Sequence, residues 1–439
     1  MKLSGLKKVL IFSFAFMMLI SFVSTASATN GYFAHGYSIK NKALAGAGTA
    51  LPLDSIAAST NPAGMALVGS RMDFGLSFFN PNREYSTSCG ISGCGGNVSP
   101  TAGTVESDTD WFIIPSFGYN RMMNENYSIG ISIYGNGGMN TDYDTTTYMG
   151  GSRGTGVDLM QLFIVPTYAR KLNEKHSIGV SPIVAYQAFE SKGLGGFAML
   201  STSQSNLSSN GHDTSFGFGA RIGYLGEIAS GLFIGASYQT RIWMDEFDDY
   251  SGLFAEHGDF DIPSNWSVGL AYKATTDLTL ALDVQQILYG EVDSIGNTFN
   301  PAFNTCRGAV MGGNPPASVP QCLGGDAGVG FGWEDMTIVK LGAQYQSSPE
   351  WTWRAGYSYG EQPIPSSEVL FNIIAPGVIE HHITAGFTRS IKDNQEIDFA
   401  VMYAVENDIS GANPLAPTTQ TITLQMNQWE FGAGYTYKF

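Results

Sequence analysis

The chain has 439 residues, of which 43% are hydrophobic and only 14% charged, and its formal net charge is −16. Phosphate contacts need clustered Lys and Arg, so this charge argues against a nucleic-acid partner. Low charge together with 54 glycines and 13% aromatic residues favours a β-structure with one face in lipid.

The N-terminus has the pattern of a cleaved secretory signal. Lysines precede an apolar run from Val9 to Val23, and Ala26-Ser27-Ala28 follows as a small-residue cleavage site. The alternative is a membrane anchor, which needs about 20 apolar residues, and this run is shorter. We therefore expect a signal peptide over residues 1–28. No later apolar stretch reaches spanning length without polar interruption, so we expect no membrane-spanning helix.

Residues 29–69 show no strand periodicity. They are rich in Ala and Gly, as in "KALAGAGTALPLDSIAAST", and end in "STNPAGMALVG", which a turn alone could explain. About 40 residues are too few for an independent core, so this segment must pack against the rest of the chain.

From residue 70 to residue 439, alternation of apolar with small or polar residues dominates. It predicts about fourteen strands, an even number typical of bacterial outer-membrane barrels. The predicted strands begin near Met72, Asp110, Tyr127, Val157, His176, Thr214, Leu232, Asn265, Leu278, Met336, Trp351, His381, Glu396 and Asn427. The fourth and fifth contain Pro166 and Pro182, and proline is awkward in a central strand.

The connections support the same fold. Short turns such as "LNEK" and "KATTD" alternate with long loops, which is the asymmetry of a transmembrane barrel. The prediction is an all-β, 14-stranded antiparallel transmembrane β-barrel over residues 70–439, with both chain ends at the periplasmic rim. A barrel of this size would leave a large lumen, and residues 29–69 are expected to fill it as a plug.

Four cysteines occur in an exported chain, which indicates disulfides. Pairing of near neighbours, Cys89 with Cys94 and Cys306 with Cys322, is the simplest of three connectivities. The spacings are unlike those of zinc sites and no His accompanies them, so we expect no metal.

Several segments resemble one known family. "NGYFAHGYSIKNKALAGAG" followed by "DSIAASTNPAGMA" resembles the N-terminal hatch of the FadL family, outer-membrane transporters of long-chain fatty acids and other hydrophobic compounds. "YSIGISIYGNGGMNTDY" resembles the third strand of that family and its break, and "GWEDMTIVKLGAQYQSSPEWTWRAGYSYGEQPIP" resembles a later segment. The resemblance covers nearly the whole mature chain and is weakest between Tyr289 and Gly330 and after Glu406.

The resemblance implies a fourteen-stranded barrel with a hatch over residues 29–69. Hydrophobic ligand would enter between the outer loops and leave sideways through a gap at a kink in the third strand. Gly135, Gly137 and Gly138 stand where that kink belongs, although they could merely start a loop. The residues Asn61-Pro62-Ala63-Gly64 match a motif that lies at the gap, so we expect them to approach Gly135 to Gly138.

Strand parity points four cations into the lumen, and a lumenal cation could receive a carboxylate. They are Arg221, Arg241, Lys340 and Arg354, with Phe33 as a candidate contact from the hatch. Pairing of these charges with one another or with the hatch is an equally good interpretation. Whether the ligand is a fatty acid or a neutral hydrocarbon therefore stays open.

The stretch "GYSYG" fits the G-x-S-x-G pattern of hydrolases, but it ends a strand rather than forming a strand-to-helix turn. His381 and His382 should point to opposite faces of their strand. We therefore expect no enzymatic step and no cofactor. The alternatives are a surface receptor or adhesin that acts through its long loops, a porin for polar solutes, and an outer-membrane lipase that uses Ser358.

The expected partners follow from the barrel. They are hydrophobic small molecules, outer-membrane lipid with lipopolysaccharide, and the outer-membrane assembly machinery. The terminal aromatic residue Phe439 resembles the signal that this machinery recognises. The acidic run "DEFDDY" could hold divalent cations among lipopolysaccharide heads, although a solvated loop explains it as well. We expect a monomer.

Overall fold

The computed structural model describes residues 30–89, 100, 102–148, 154–416 and 420–439. Fourteen long antiparallel strands form one closed ring, so the predicted barrel is confirmed. The ring is closed by the first and last strands, from the pair Arg71↔Lys438 to the pair Thr87↔Ile422. The predicted signal peptide over residues 1–28 lies outside the described residues.

The wall strands are numbered in chain order. They are β1 Arg71–Thr87, β2 Phe112–Met122, β3 Tyr127–Tyr143, β4 Thr155–Lys171, β5 His176–Lys192, β6 Asp213–Ala229, β7 Leu232–Gln239, β8 Asn265–Lys273, β9 Leu278–Ile287, β10 Met336–Gln346, β11 Trp351–Gly360, β12 His381–Lys392, β13 Gln395–Ala412 and β14 Thr421–Lys438. Two short strands, Gly103–Glu106 and Trp243–Met244, extend the outer ends of β1 and β6.

Helices are short and lie in the lumen or in the loops. The α-helices are α1 Ile39–Lys42, α2 Ala255–Gly258, α3 Asp293–Gly296 and α4 Phe299–Met311. The 3-10 turns are Ala57–Ser59, Pro62–Ala66, Gly195–Leu200, Gln204–Asn206, Asp248–Tyr250, Tyr289–Glu291, Pro316–Ser318, Ser366–Glu368 and Phe371–Ile373. Among the described residues, every helix is too short or too polar to cross a bilayer.

Each strand turns its large apolar side chains outward and its small or polar ones inward. On β11, Trp353 and Tyr357 are exposed, whereas Arg354 and Ser358 are buried inside the ring. This arrangement is the inverse of a soluble core, and it suits a wall whose outer face meets lipid.

The two prolines that made the fourth and fifth strands uncertain share one place in the wall. Pro166 of β4 and Pro182 of β5 both fall where the β4–β5 ladder is interrupted, between the pairs Ile164↔Val184 and Tyr168↔Val180. Proline has no N–H to donate, so placing both in one gap costs the ladder little. The hydroxyls of Thr167 and Ser181 bridge the two strands there, with 2.8 Å between their oxygens.

Residues 30–69, termed here the lumenal segment, lie within the ring and contact strands on all sides. In the periplasmic half they form ion pairs with inward-facing wall residues. Lys40 Nζ lies 2.6 Å from Glu396 Oε2, and Lys42 pairs with Glu430. The carboxylate of Asp283 accepts the backbone N–H groups of Gly48 and Thr49 at 2.7 and 2.8 Å. These hydrogen bonds provide partners for the polar backbone groups of a segment that has almost no regular secondary structure of its own.

The outer half of the lumen is apolar. Side chains from the lumenal segment, the strands and the outer loops form one continuous buried cluster. Its aromatic members include Tyr32, Phe33, Phe197, Phe260, Tyr289, Phe299, Phe303, Phe331, Trp333 and Phe371. The lumen is thus polar towards the periplasm and apolar towards the outside.

Candidate functional site

β3 is irregular at the predicted glycines. Its register with β4 shifts between Gly135 and Gly137, so Asn136 is an extra residue in the strand. The side chain of Asn136 is fully buried; its amide nitrogen donates to Gln161 Oε1 at 2.9 Å and its oxygen accepts from the Tyr37 hydroxyl at 3.3 Å. An extra residue of this kind bends the strand and ends regular pairing.

Above this bulge β3 loses its neighbour on one side. The β2–β3 ladder runs only from Met122↔Ser128 to Ser116↔Tyr134, whereas β3 continues to Tyr143 paired with β4 alone. On its other edge β2 pairs with β1 from Phe112 to Asn120, so Phe112 to Pro115 have a strand neighbour on that side alone. At the top, the N–H of Asp108 donates to the carbonyl of Asp142 at 2.8 Å. We call the unpaired interval between the pair Ser116↔Tyr134 and the Asp108–Asp142 hydrogen bond the β2–β3 opening.

Backbone from the lumenal segment occupies the free edge of β3 at this opening. The N–H of Ala34 donates to the carbonyl of Asn136, and the N–H of Gly138 donates to the carbonyl of Tyr32, both at 2.9 Å. Phe33 and Gly137 form an antiparallel bridge between these bonds. Residues Tyr32 to Ala34, termed here the gate segment, are therefore a short strand added to the wall from within.

Gly137 makes this close approach possible. A Cβ atom on Gly137 would lie 1.8 Å from the carbonyl oxygen of Tyr32. No side chain fits at that distance, so any other residue here would push the gate segment off β3. Gly135 differs, because a Cβ on it would point at Ile114 of β2 at 3.3 Å, across the lower end of the opening.

Tyr289, from the loop between β9 and β10, holds the gate segment from above. Its hydroxyl donates to the carbonyl of Asn30 at 2.5 Å and accepts the N–H of Tyr32 at 3.2 Å. The ring of Tyr32 lies 5.2 Å from that of Tyr289 and 5.9 Å from that of Trp333, between ring centroids. The gate segment is thus part of the apolar cluster that continues into the outer loops.

The structure does not bring Asn61, Pro62 and Ala63 to Gly135–Gly138, and this expectation is corrected. The Asn61 amide donates to the carbonyls of Thr49 at 2.7 Å and Tyr224 at 2.9 Å, which places the motif at β6. The motif fits against β5 and β6 because two glycines of the wall leave room for it there. A Cβ on Gly179 of β5 would lie 2.3 Å from Pro62, and one on Gly223 of β6 would lie 2.0 Å from Asn61 Oδ1.

Gly64 belongs to the same corner of the lumen. A Cβ on this residue would lie 2.6 Å from the side chain of Pro52, so the turn Pro62–Ala66 packs closely on its own segment. The Asn61 side chain also accepts the N–H of Ala63 at 3.0 Å and caps that turn. The motif therefore anchors the lumenal segment to β5 and β6.

Three of the four predicted lumenal cations are buried inside the ring. Arg221 donates to the carbonyl of Ala58 at 2.8 Å and to the Tyr134 hydroxyl at 3.1 Å. Lys340 donates to the carbonyl of His35 at 3.3 Å. Arg354 donates to Gln344 Oε1 at 2.8 Å and to Thr388 Oγ1 at 2.6 Å.

The fourth cation, Arg241, is not lumenal, and its prediction is corrected. β7 ends at Gln239, so strand parity no longer applies to it. It lies half-buried in the outer loop, where its Nε is 2.6 Å from Asp261 Oδ2 and its Nη2 is 3.3 Å from Asp259 Oδ2. Arg241 therefore ties the loop together.

A further cation, Arg83 on β1, was not selected from the sequence, although strand parity places it inside the ring. It is buried against Phe112, with its guanidinium carbon 5.8 Å from the ring centroid. A small cavity of about 10 Å³ adjoins it and is lined mostly by apolar side chains of β1, β3, β14 and the outer loops. Parity along β1 was the signal that could have found it.

Cys306 and Cys322 form a disulfide, as the near pairing predicts. It fastens α4 to a later part of the same loop between β9 and β10. The other expected pair stays a prediction, because Cys94 lies outside the described residues. Cys89 itself is disulfide-bonded.

Ser358 and His382 meet inside the wall. The Ser358 hydroxyl lies 3.1 Å from His382 Nδ1, and both side chains are fully buried. His381 points outward to Tyr357, so the two histidines face opposite sides as expected. Ser358 stands on a regular strand that is paired on both sides, which differs from the exposed turn a hydrolytic serine needs.

The family model described as outer membrane protein transport protein (OMPP1/FadL/TodX) matches residues 20–439. A long-chain fatty acid transport protein of Salmonella typhi is 22% identical over 471 residues, covering 99% of this chain and all of that one. The corresponding Escherichia coli K12 protein is 22% identical over 476 residues, with the same coverage of both chains.

Two solved structures share the fold. The toluene transporter TodX of P. putida superposes with a TM-score of 0.65 at 16% identity, covering 92% of this chain and 99% of that one. A Pseudomonas aeruginosa FadL homologue gives 0.66 at 15% identity, covering 93% and 100%. The chain therefore belongs to the OMPP1/FadL/TodX family of outer membrane protein transport proteins, and its barrel lies in the outer membrane.

Proposed function

We propose that this protein is a passive channel for hydrophobic molecules, which enter between the outer loops and leave sideways through the β2–β3 opening. The observation that carries the proposal is the edge of β3 above Tyr134, which β2 leaves unpaired and on which the gate segment lies. The two backbone hydrogen bonds between the gate segment and β3 contribute only about 1 kcal/mol each, so this part of its attachment is weak.

The polarity of the lumen supports a sideways route. Above the gate segment the interior is aromatic and aliphatic, so an apolar ligand can move through it by displacing side chains. Below it the interior is filled by ion pairs such as Lys40–Glu396 and Arg71–Asp73. A hydrocarbon that crossed this charged half would have to separate those pairs.

Exit into lipid also keeps the ligand out of water. Each methylene group buried from water gains about 0.8 kcal/mol, so a long chain released into the periplasm would lose many such contributions. Moving from an apolar cluster directly into the bilayer loses almost none. Relatives of this chain include long-chain fatty acid transport proteins and a toluene transporter, and both kinds of molecule are candidate cargo here.

Uptake by cells tests this function. In a strain that lacks the gene, complementation should restore entry of labelled long-chain fatty acid or of toluene. A Gly135→Leu variant should cut that uptake at least several-fold, because its side chain would project towards Ile114 across the opening. Gly308→Leu is the matched control, since a Cβ there has open space.

If no apolar candidate enters faster in complemented cells, the channel function is wrong. If uptake occurs but Gly135→Leu leaves it unchanged, the channel stands and the route through the β2–β3 opening does not. Folding of each variant is checked by the faster migration of an unheated barrel on a denaturing gel.

A further inference from the structure

The lipid-facing side of the wall carries a groove between β4 and β8. Two rows of outward side chains form its sides, and each row passes from strand to strand through paired residues. The upper row, on the side away from the periplasm, is Tyr168, Val180, Ile222, Tyr238 and Trp266. The lower row is Ile178, Tyr224, Ala236 and Val268. The groove is almost entirely apolar and has a volume of about 660 Å³, within the roughly 300–1,000 Å³ of ligand pockets.

The lower row is open at its centre. Ala236 presents only a methyl group between its paired neighbours Tyr224 and Val268. The ring of Tyr224 leans towards the periplasmic rim, where its hydroxyl lies 2.7 Å from His176 Nδ1. Gly226 leaves the space for this contact, because a Cβ there would lie 2.4 Å from the Tyr224 hydroxyl. The groove therefore stays unfilled by the chain's own side chains.

The groove runs obliquely across the wall. Tyr168 lies three residues before the periplasmic end of β4 at Lys171, whereas Trp266 is the second residue of β8, at its outer end. Four strand spacings of about 4.8 Å separate these two residues, which makes about 19 Å along the wall. The groove thus leads from the periplasmic surface of the membrane towards its outer half.

The two ends of the groove differ in charge. Arg170 is exposed on the outward face of β4 and is paired with Ile178, so it continues the lower row at the periplasmic end. The turn that follows adds Lys171 and the exposed Lys175 against one carboxylate, Glu174. Beyond the outer end, the loop between β7 and β8 carries the acidic run "DEFDDY". An anionic head group is therefore attracted to the periplasmic end of the groove and repelled from the outer end.

We propose that this groove binds an acyl chain of an anionic phospholipid of the periplasmic leaflet, with the phosphate beside Arg170 and the chain directed towards Trp266. Lipid is the medium on this face of the wall, so an apolar chain rather than water fills the groove. A groove between two rows of side chains fits a single extended chain better than the broad wall of a second copy. The site shares no residue with the β2–β3 opening, and the inference goes beyond the proposed channel function.

Quenching of Trp266 fluorescence by brominated phospholipids tests the site, because this indole lines the outer end of the groove. The full barrel is reconstituted in phosphatidylcholine vesicles that contain dibrominated phosphatidylglycerol or dibrominated phosphatidylcholine at the same mole fraction. The Trp266 signal is the difference between each protein and the same protein with Trp266→Phe. Phosphatidylglycerol should be preferred at least about fivefold, which corresponds to the ~1 kcal/mol that one basic residue contributes near anionic lipid.

Two pairs of variants separate the head-group contact from the groove. Arg170→Gln should reduce the preference about fivefold. Its control is Arg121→Gln, which removes an exposed charge at the periplasmic end of β2 and should leave the preference unchanged. Ala236→Phe fills the lower row and should weaken quenching by both lipids at least about twofold. Its control is Ala355→Phe, at an exposed outward position of β11, which should leave quenching unchanged.

Equal quenching by the two lipids in the parent protein, or a preference that survives Arg170→Gln, would overturn the site. Unchanged quenching in Ala236→Phe would mean that lipid meets only the basic rim, and the groove would then be ruled out. Quenching that disappears as the protein-to-lipid ratio rises would show that a second copy covers the groove, which also overturns the proposal. Heat modifiability shows that each variant folds, and Ala236→Leu replaces Ala236→Phe if the latter does not.

Discussion

At the scale of single residues, glycine decides where backbone from the lumenal segment can reach the wall. Gly137 admits the carbonyl of Tyr32, and Gly179 and Gly223 admit Pro62 and Asn61. The sequence shows that these residues are glycines, but alternation alone does not say which backbone approaches each of them. The register of β3 does shift at the predicted glycines, whereas the backbone that reaches Gly137 is that of Tyr32 to Ala34 and not that of Asn61–Ala63.

Gly137→Ala should loosen the gate segment without unfolding the barrel. Its Cβ would meet the Tyr32 carbonyl, and two backbone hydrogen bonds of about 1 kcal/mol each would be lost. A cysteine introduced at Ala34, which is buried, should then react with a maleimide about tenfold faster or more than in the parent. Gly308→Ala serves as the matched control. An unchanged rate in Gly137→Ala would mean that the gate segment does not depend on this contact.

At the scale of elements, the loop between β7 and β8 is held by a carboxylate pair around Arg241. Burial first, and then the neighbouring carboxylate of Asp261, raise the pKa of Asp259 from an ordinary value of 3.8 to about 7. Glu256 raises it further and Arg241 opposes the shift. A raised pKa means that the folded loop binds a proton more tightly than the unfolded chain does.

The loop should therefore lose stability as the pH rises from about 4 through about 7, since the folded form binds more protons throughout that range. Hydrogen exchange over residues 241–261, corrected for intrinsic rates, should be faster at pH 8 than at pH 5.5. Asp259→Asn should remove most of the difference, because the amide does not titrate. Exchange that is slower at pH 8, or a pH dependence that survives in Asp259→Asn, would contradict this assignment.

At the scale of the whole molecule, the barrel is a container whose lumen is closed by its own chain. The lumenal segment is bound by ion pairs below and by aromatic contacts above, so little continuous water can cross it. The wall itself is a complete ring, and within the described residues the outer part of β3 lacks ladder bonds to β2 above the pair Ser116↔Tyr134. These two properties separate a hydrophobic channel from a porin for polar solutes.

Ion conductance in planar bilayers should show this closure. The intact protein should conduct little, whereas a variant that lacks residues 36–66 should form an open pore with at least tenfold higher conductance, as expected for a water-filled barrel of this size. Heat modifiability of the variant shows that the ring still assembles. High conductance of the intact protein would instead favour a porin, and low conductance of a folded deletion variant would mean that the loops alone close the lumen.

Much of the fold could be predicted from the sequence, because the alternation that marks a strand is a local property of the chain. Side chains alternate along a strand, and a wall between lipid and a polar lumen imposes that alternation on every strand. All fourteen predicted strands are present, and most begin within two residues of their predicted start, as β3 at Tyr127 and β9 at Leu278 do. The last strand begins earlier than predicted, at Thr421, because its outer part alternates in the opposite phase. Ile422, Leu424 and Met426 are buried inside the ring, whereas Trp429 and Phe431 face outward.

The sequence by itself thus determined the barrel, its strand order, the inward direction of Arg221, Lys340 and Arg354, and the position of the bulge in β3. Only the tertiary structure decided that the gate segment rather than Asn61–Ala63 covers the bulge of β3, that Arg241 belongs to a loop, and that Arg83 is buried against Phe112. Alternation is set by each residue's own neighbours along the chain. Contacts between the lumenal segment, the loops and the wall join residues far apart in sequence, and their partners depend on the shape of the space that the closed ring leaves.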